Sequence, residues 1–335
     1  MNQSIRTVQV VESRRPTARG ETLNAVQYTT PNPKAVLCFH HGFGEVRARR
    51  RYVDSSTHRL IDSSIRSLAK ASLPHWQSSL PHWQSSLARQ HVGRYAGVFE
   101  RLASAGVTVH ALDAMGHGRS DGARAFINLQ VMIQDFQSLC GSAAGDRGDQ
   151  IPMFIAGHSL GGLVAAFTCL RSQEMWSGML LCSPLLDVEW TPVLRLQAAF
   201  SSVLASAVPR LKIVPKVVAA HVNRDPARVR EYEEDPLIYH DNIPVRSGSE
   251  MLKGFGEFGK HRAEFSLPIY AHHGTADRIT SFAATKAFLD AVSSTDKTFV
   301  PVEGGYHEVL LEPEGGVLLD RMIEWMLSKP KTSKM

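Results

Sequence analysis

Three side chains stand in an order that suits acyl transfer: Ser159, Asp277 and His307. A serine hydroxyl is a weak nucleophile at neutral pH, so it needs a base within hydrogen-bond reach and an acid to orient that base. Ser159 lies in Gly157-His158-Ser159-Leu160-Gly161-Gly162, between the apolar run Met153 to Ala156 and a helical pattern from Leu163 to Leu170. A strand that enters a helix through Gly-x-Ser-x-Gly turns sharply and lifts the hydroxyl clear of the sheet. The three fixed positions alone occur by chance in on the order of one chain in ten of this length. The strand-turn-helix context makes them informative, because glycines without Cβ allow the strained backbone and the close helix-strand approach. Asp277 follows Gly274-Thr275-Ala276 just past the strand Pro268 to His273, and His307 follows Gly304-Gly305-Tyr306 just past the strand Thr298 to Val302. In these roles His307 takes the Ser159 proton and returns it to the leaving group, while Asp277 holds the imidazole tautomer and stabilises the imidazolium.

Other readings of these residues exist. Asp277 would also serve as the cap of a helix starting near Ser281, Asp187 is a rival orienting acid, and His307 would pass as an ordinary loop histidine. Three residues at three strand ends in the right order favour the triad. For His158 packing is the better reading, and His117 in Gly116-His117-Gly118 reads as a loop-structuring residue. Acyl transfer also needs donors for the oxyanion. The N–H of Leu160 is one, at the start of its helix. The second is assigned to the N–H of Phe43 in His40-His41-Gly42-Phe43-Gly44, with the Phe43 ring lining the acyl pocket.

Positioning these residues requires a sheet. Strand patterns occur at Val8 to Val11, Ala25 to Thr29, Ala35 to His40, Val107 to Asp113, Pro152 to Gly157, Gly178 to Ser183, Pro268 to His273 and Thr298 to Val302. Helical patterns lie at Arg94 to Ala105, Leu129 to Ser142, Leu160 to Met175, Ser281 to Val292 and Gly316 to Leu327. Strand alternating with helix predicts an α/β protein, with a mostly parallel sheet covered on both faces and ligands at the carboxyl ends of the strands. Two stretches break the alternation. Leu186 to Leu267 has no strong strand signal but has helical ones, notably Val193 to Val208, and reads as a helical cap in which Leu194 and Phe200 line the substrate pocket. Val46 to Gln90 is Ser- and Arg-rich and holds a perfect tandem repeat, Ser72-Leu73-Pro74-His75-Trp76-Gln77-Ser78 followed by Ser79-Leu80-Pro81-His82-Trp83-Gln84-Ser85. Two copies are too few for a solenoid, so disorder is expected there.

The 335 residues suffice for one large domain, and 43% hydrophobic and 21% charged residues are ordinary for a soluble globular chain. No apolar run is long enough for a membrane span, and the first residues lack the apolar core of a secretory signal. The net charge of +5 is local: Val46 to Gln90 carries eight of the 37 basic residues and two of the 32 acids, which leaves the rest one negative charge from neutral. A nucleic-acid partner is therefore not expected. Cys38, Cys140, Cys169 and Cys182 lie far apart in apolar contexts, which predicts reduced, buried thiols and neither a disulfide framework nor a metal site.

With these residues in hand the sequence resembles the monoglyceride lipase and lysophospholipase branch of the α/β-hydrolases. The resemblance rests on His41-Gly42-Phe43-Gly44-Glu45, Asp113-Ala114-Met115-Gly116-His117-Gly118-Arg119-Ser120, the Ser159 motif, His273-Gly274-Thr275-Ala276-Asp277 and Tyr306-His307-Glu308. It implies an α/β-hydrolase core over 1–45, 91–186 and 268–328, an insertion at 46–90, a helical cap over 187–267 and a basic tail at 329–335. It also implies a serine esterase that cleaves monoacylglycerols, lysophospholipids or similar single-chain esters, with no cofactor and with transient contact between the cap and a membrane surface. An acyltransferase or thioesterase on the same triad, or a noncatalytic ligand-binding protein of this fold, are the alternatives. An epoxide hydrolase or dehalogenase would want an acid at position 159. The expected location is the cytoplasm; Ser333-Lys334-Met335, a near match to the Ser-Lys-Leu address, makes the peroxisome the second choice.

The sequence departs from this family in one place. The continuation expected directly after Glu45 starts at His91-Val92-Gly93-Arg94-Tyr95, and removing Val46 to Gln90 restores the pattern without a gap. The segment opens with valine, encoded GTN, and closes with glutamine, encodable as CAG, and its length keeps frame. A retained intron predicts all three features. Transcript sequencing is expected to find messages that join Glu45 to His91, and uniform retention of the segment would contradict this origin.

Overall fold

The computed structural model describes residues 8–43, 91–146 and 151–330. The insertion Val46 to Gln90 with its repeat, the pair Gly44-Glu45 and the C-terminal Ser333-Lys334-Met335 lie outside these residues.

Eight strands build the main sheet. β1 (Gln9–Pro16) and β2 (Thr22–Thr29) form an antiparallel hairpin, and β2 pairs antiparallel with β4 (Val107–Leu112). Beyond them β3 (Ala35–His40), β5 (Met153–His158), β6 (Gly178–Cys182), β9 (Ile269–Gly274) and β10 (Lys297–Val302) run parallel, in the spatial order β1-β2-β4-β3-β5-β6-β9-β10. Strands β3 to β6 and β9 are buried along their whole lengths, which explains their continuous apolar runs in place of alternation. The exposed β1 extends well past the predicted Val8 to Val11, because polar residues at Glu12 to Arg15 are compatible with an edge strand that pairs only through its backbone.

Helices cover both faces. α2 (Leu129–Asp146), α3 (Leu160–Leu170) and α7 (Phe282–Ala291) pack over one face, with Phe136, Leu163 and Phe288 buried there. α1 (Ala96–Ser104) and α8 (Gly315–Ser328) cover the other through Phe99, Leu102, Leu318 and Met322. α3 stops at Leu170, short of the predicted Met175, and a separate 3-10 turn spans Gln173–Met175.

Between β6 and β9 the chain forms α4 (Pro192–Ala207), β7 (Lys212–Val214), α5 (Pro226–Glu234), β8 (Ile243–Pro244) and α6 (Val245–Lys260). The short β7-β8 pair was not foreseen, since two or three residues show no usable alternation. α4 begins at a Thr191 cap whose hydroxyl accepts the Leu194 N–H at 3.1 Å, with Pro192 at its first position. The amphipathic α6 buries Phe255 and Phe258 against the core, and Ser247 fixes it by accepting the Ile127 N–H and donating to the Ala125 carbonyl. α4 lies against α6 and leaves Val193, Leu196, Phe200 and Val203 at least 63% exposed. Among the described residues no helix is long and apolar enough to cross a membrane. The four cysteines are buried free thiols, and no cluster of three potential metal ligands occurs among the described residues.

Three histidines in the sheet region are buried and neutral. Burial, with a contribution from neighbouring His41, lowers His40 to about 3. Burial lowers His272 to about 3, helped by His273, and burial followed by the charge of His307 pushes His158 well below its ordinary value. The unfolded chain protonates these rings below about pH 6.5 while the folded chain does not, so folding stability drains away as pH falls from about 6.5 towards 3. Denaturant unfolding between pH 7.5 and 4.5 is expected to show a falling midpoint. His272→Leu, which removes a ring whose nitrogens have no protein partner among the described residues, should flatten that fall.

Candidate active site

Ser159 sits between the last residue of β5 and the first of α3 with φ of 53° and ψ of −125°, a conformation that non-glycine residues rarely adopt. The surroundings impose it. The Ser159 N–H donates to the Cys182 carbonyl at 3.1 Å, and the Ser159 carbonyl accepts from Gly162 and Leu185 at 2.9 Å each. At Gly161 a Cβ would stand 2.2 Å from the His40 carbonyl oxygen and 2.3 Å from that of His41, so the loop after β3 crosses directly on the elbow helix. The backbone at Gly42 thereby comes beside Ser159, where a Cβ would be 3.0 Å from the serine Cβ.

Loop geometry also joins the other two residues. A Cβ at Gly274 would meet the carbonyl oxygens of Gly305 and Tyr306 at 2.2 Å. The loop after β9 therefore lies on the loop after β10, laced by Thr275 N–H to Val302 and Ala276 N–H to Gly305. Across this contact His307 Nδ1–H donates to Asp277 Oδ2 at 2.8 Å. The Asp277 side chain is fully buried and accepts three further bonds: to Oδ1 from the N–H groups of Ile279 and Thr280 at 2.7 and 3.1 Å, and to Oδ2 from the Thr280 hydroxyl at 2.7 Å. His273 Nε2 stands 3.2 Å from Oδ2 and equally 3.2 Å from the Thr280 hydroxyl oxygen, to which it is hydrogen-bonded. Burial alone would raise its pKa. The charge of His307 and the bonds from His273 and His307 more than offset this and hold the carboxyl well below the usual carboxylate range.

The rival readings separate here. Helix α7 is capped by Ser281, which accepts the Ala284 N–H at 3.1 Å, so Asp277 is not its cap. Asp187 lies elsewhere, bound to Arg262 at 2.7 Å and to the Trp190 indole at 2.9 Å. His158 accepts the Tyr95 hydroxyl at Nδ1, 2.8 Å, and donates from Nε2 to the His307 carbonyl at 3.3 Å, a tautomer set by the two partners. His117 donates to the Met115 carbonyl at 3.0 Å and packs edge-on against Phe43.

A cavity of about 810 Å³ opens over the strand ends, within the range of small-ligand sites. Ser159 and His307 share its wall with Phe43, Leu194 and Phe200. Among the described residues no hydrogen bond joins Ser159 to His307, although both line the cavity. The Leu160 N–H opens α3 next to Ser159, where first-turn donors lack helical partners. Glu308 is the one carboxylate residue on the wall among the described residues, and Arg94 holds it in a buried bidentate pair at 2.6 and 2.7 Å. Arg94 and Tyr95 thus brace the residues flanking His307 and Ser159, a role that sequence reasoning missed although both stood in the quoted continuation after the insertion. Losing one partner of such a buried pair costs about 3–5 kcal/mol, whereas apolar replacement of both is close to neutral. Arg94→Met should therefore destabilise by about that amount in denaturant unfolding. Adding Glu308→Leu should restore most of it.

A family model described as Serine aminopeptidase, S33 matches residues 88–314. Monoacylglycerol lipase of Mycolicibacterium smegmatis is 34% identical over 243 residues, covering 71% of this chain and 85% of that protein. The crystal structure of Paleococcus ferrophilus monoacylglycerol lipase superposes with a TM-score of 0.68 at 25% identity, over 91% of this chain and 98% of that one. A soluble variant of monoglyceride lipase from Saccharomyces cerevisiae, in complex with a substrate analog, shares the fold at a TM-score of 0.70 and 16% identity over 96% of each chain.

Proposed function

The chain belongs to the S33 serine hydrolase family of the α/β-hydrolase fold, in its monoglyceride lipase branch, and is a carboxylic ester hydrolase; on that footing we propose that it cleaves single-chain acyl esters such as monoacylglycerols and lysophospholipids through Ser159, His307 and Asp277. The Ser159 hydroxyl attacks the ester carbonyl while His307 Nε2 takes its proton. The N–H groups of Leu160 and Phe43 stabilise the oxyanion. Collapse of the tetrahedral intermediate expels the alcohol with the proton from His307 and leaves an acyl-enzyme. Water, deprotonated by the same imidazole, then releases the fatty acid. Asp277 stays ionised throughout and stabilises the imidazolium.

The observation that carries this reading is a single cavity in which Ser159 and the Asp277-bound His307 face a wall of Leu185, Val188, Leu194, Phe200, Met251 and Phe255. An apolar wall suits an alkyl chain. It does not suit the free α-ammonium of an aminopeptidase substrate, which needs an anionic partner, and the wall's carboxylate is already neutralised by Arg94. The exposed residues of α4, Val193, Leu196, Phe200 and Val203, would rest on a lipid surface, and Leu196 and Phe200 also line the cavity, which gives substrate a short apolar route inward.

The protein should hydrolyse a long-chain monoacylglycerol and lysophosphatidylcholine and leave an aminoacyl anilide untouched. Ser159→Ala should lower kcat by about five to six orders of magnitude. Preference for the anilide, or activity retained without the Ser159 hydroxyl, would contradict the proposal.

A further inference from the structure

We propose that His273 is a positioning residue that shares the Asp277 carboxylate with His307, latched in one tautomer by Thr285, and thereby sets how strongly Asp277 acts on the catalytic imidazole. The assignment rests on the triad reading above.

His273 is the penultimate residue of β9, and its side chain is fully buried on the face covered by α7. Its Nε2 lies 3.2 Å from Asp277 Oδ2 and 3.2 Å from the Thr280 hydroxyl oxygen, which itself donates to Oδ2, and its Nδ1 lies 2.9 Å from the Thr285 hydroxyl. An ionised carboxylate only accepts, so Nε2 carries the proton and Nδ1 accepts the Thr285 O–H. The Phe282 ring stands 5.7 Å away and itself packs on Phe299, so this side of the acid is apolar. Oδ2 consequently receives hydrogen bonds from His307 at 2.8 Å and Thr280 at 2.7 Å, and the His273 N–H faces it at 3.2 Å, shared with the Thr280 oxygen. A donor bound there draws negative charge away from the His307 bond and fixes the plane of the carboxylate. The other charged or titratable groups nearby are Arg278, next in the loop, His158 and His272 on the opposite face of the sheet, and Glu308, which is neutralised by Arg94. None of these four hydrogen-bonds to Asp277 among the described residues.

The test is a pH profile of ester hydrolysis by the full chain carrying His273→Leu, His273→Gln, Thr285→Val, Thr285→Ser or Asp277→Asn, each checked for an intact melting transition. His273→Leu should lose about tenfold in kcat with KM unchanged, and the acid limb of kcat/KM should move up by about half a unit as the undiluted charge of Asp277 faces the base. His273→Gln, whose amide reaches the same oxygen, should restore both. Thr285→Val, nearly isosteric, should move the limb in the same direction and Thr285→Ser should not, which keeps the test open if His273→Leu fails to fold. An unmoved limb in His273→Leu and Thr285→Val, or a Gln variant no better than Leu, with Asp277→Asn inactive, overturns the assignment while leaving the triad standing. Activity retained in Asp277→Asn overturns both.

Discussion

At Gly161 and Gly274 the backbones of separate loops meet at distances that admit no Cβ, and the whole site hangs on these two crossings. The first presses the His40-His41 backbone onto the helix that follows Ser159. The second presses the loop bearing Asp277 onto the loop bearing His307. In both cases the neighbouring atoms are carbonyl oxygens, which cannot swing away as a side chain can, so any larger residue would have to drive two strand ends apart. The crossings link neighbouring elements of the parallel sheet, and a side chain carried by one loop is thereby placed against its partner on another without depending on flexible contacts. The unusual φ and ψ of Ser159 belong to the same system, since hydrogen bonds to Cys182, Gly162 and Leu185 hold that conformation on three sides.

Charge is distributed inside this frame with the same economy. The Asp277 side chain is buried yet ionised because four hydrogen bonds and the nearby His273 N–H replace its water, whereas His40, His158 and His272 are buried and neutral. Of the two imidazoles beside that carboxylate, His307 and His273, His307 is the one that reaches the cavity. Glu308, one residue further along, is neutralised by Arg94. The cavity wall is largely apolar and includes Ser159 and His307.

Much of this was legible in the amino-acid order, and the reasons are local. Ser159, Asp277 and His307 each follow a short apolar run that reads as a strand, buried at β5 and β9 and partly exposed at β10, and the spacing of glycines around them marks turns. What was not legible depends on which strands become neighbours. Asp187 and Asp277 both follow strands, and nothing in the order of residues says that the β10 loop carrying His307 packs on β9 and its loop, leaving Asp187 to Arg262. Arg94 and Tyr95 meet partners 214 and 63 residues away, beyond any periodicity. His273 was hidden for a different reason: within a buried strand a histidine reads as part of the run, and only the approach of Thr285 and Asp277 gives it work. The pair β7 and β8 is too short to leave a pattern at all.

The central claim is that Ser159 is the activated hydroxyl of this chain, and covalent labelling by a long-chain fluorophosphonate followed by peptide mapping tests it most directly. A single adduct is expected on Ser159, absent in Ser159→Ala and slowed in His307→Gln. An adduct on another residue, or none under conditions in which the ester substrate is cleaved, would contradict it.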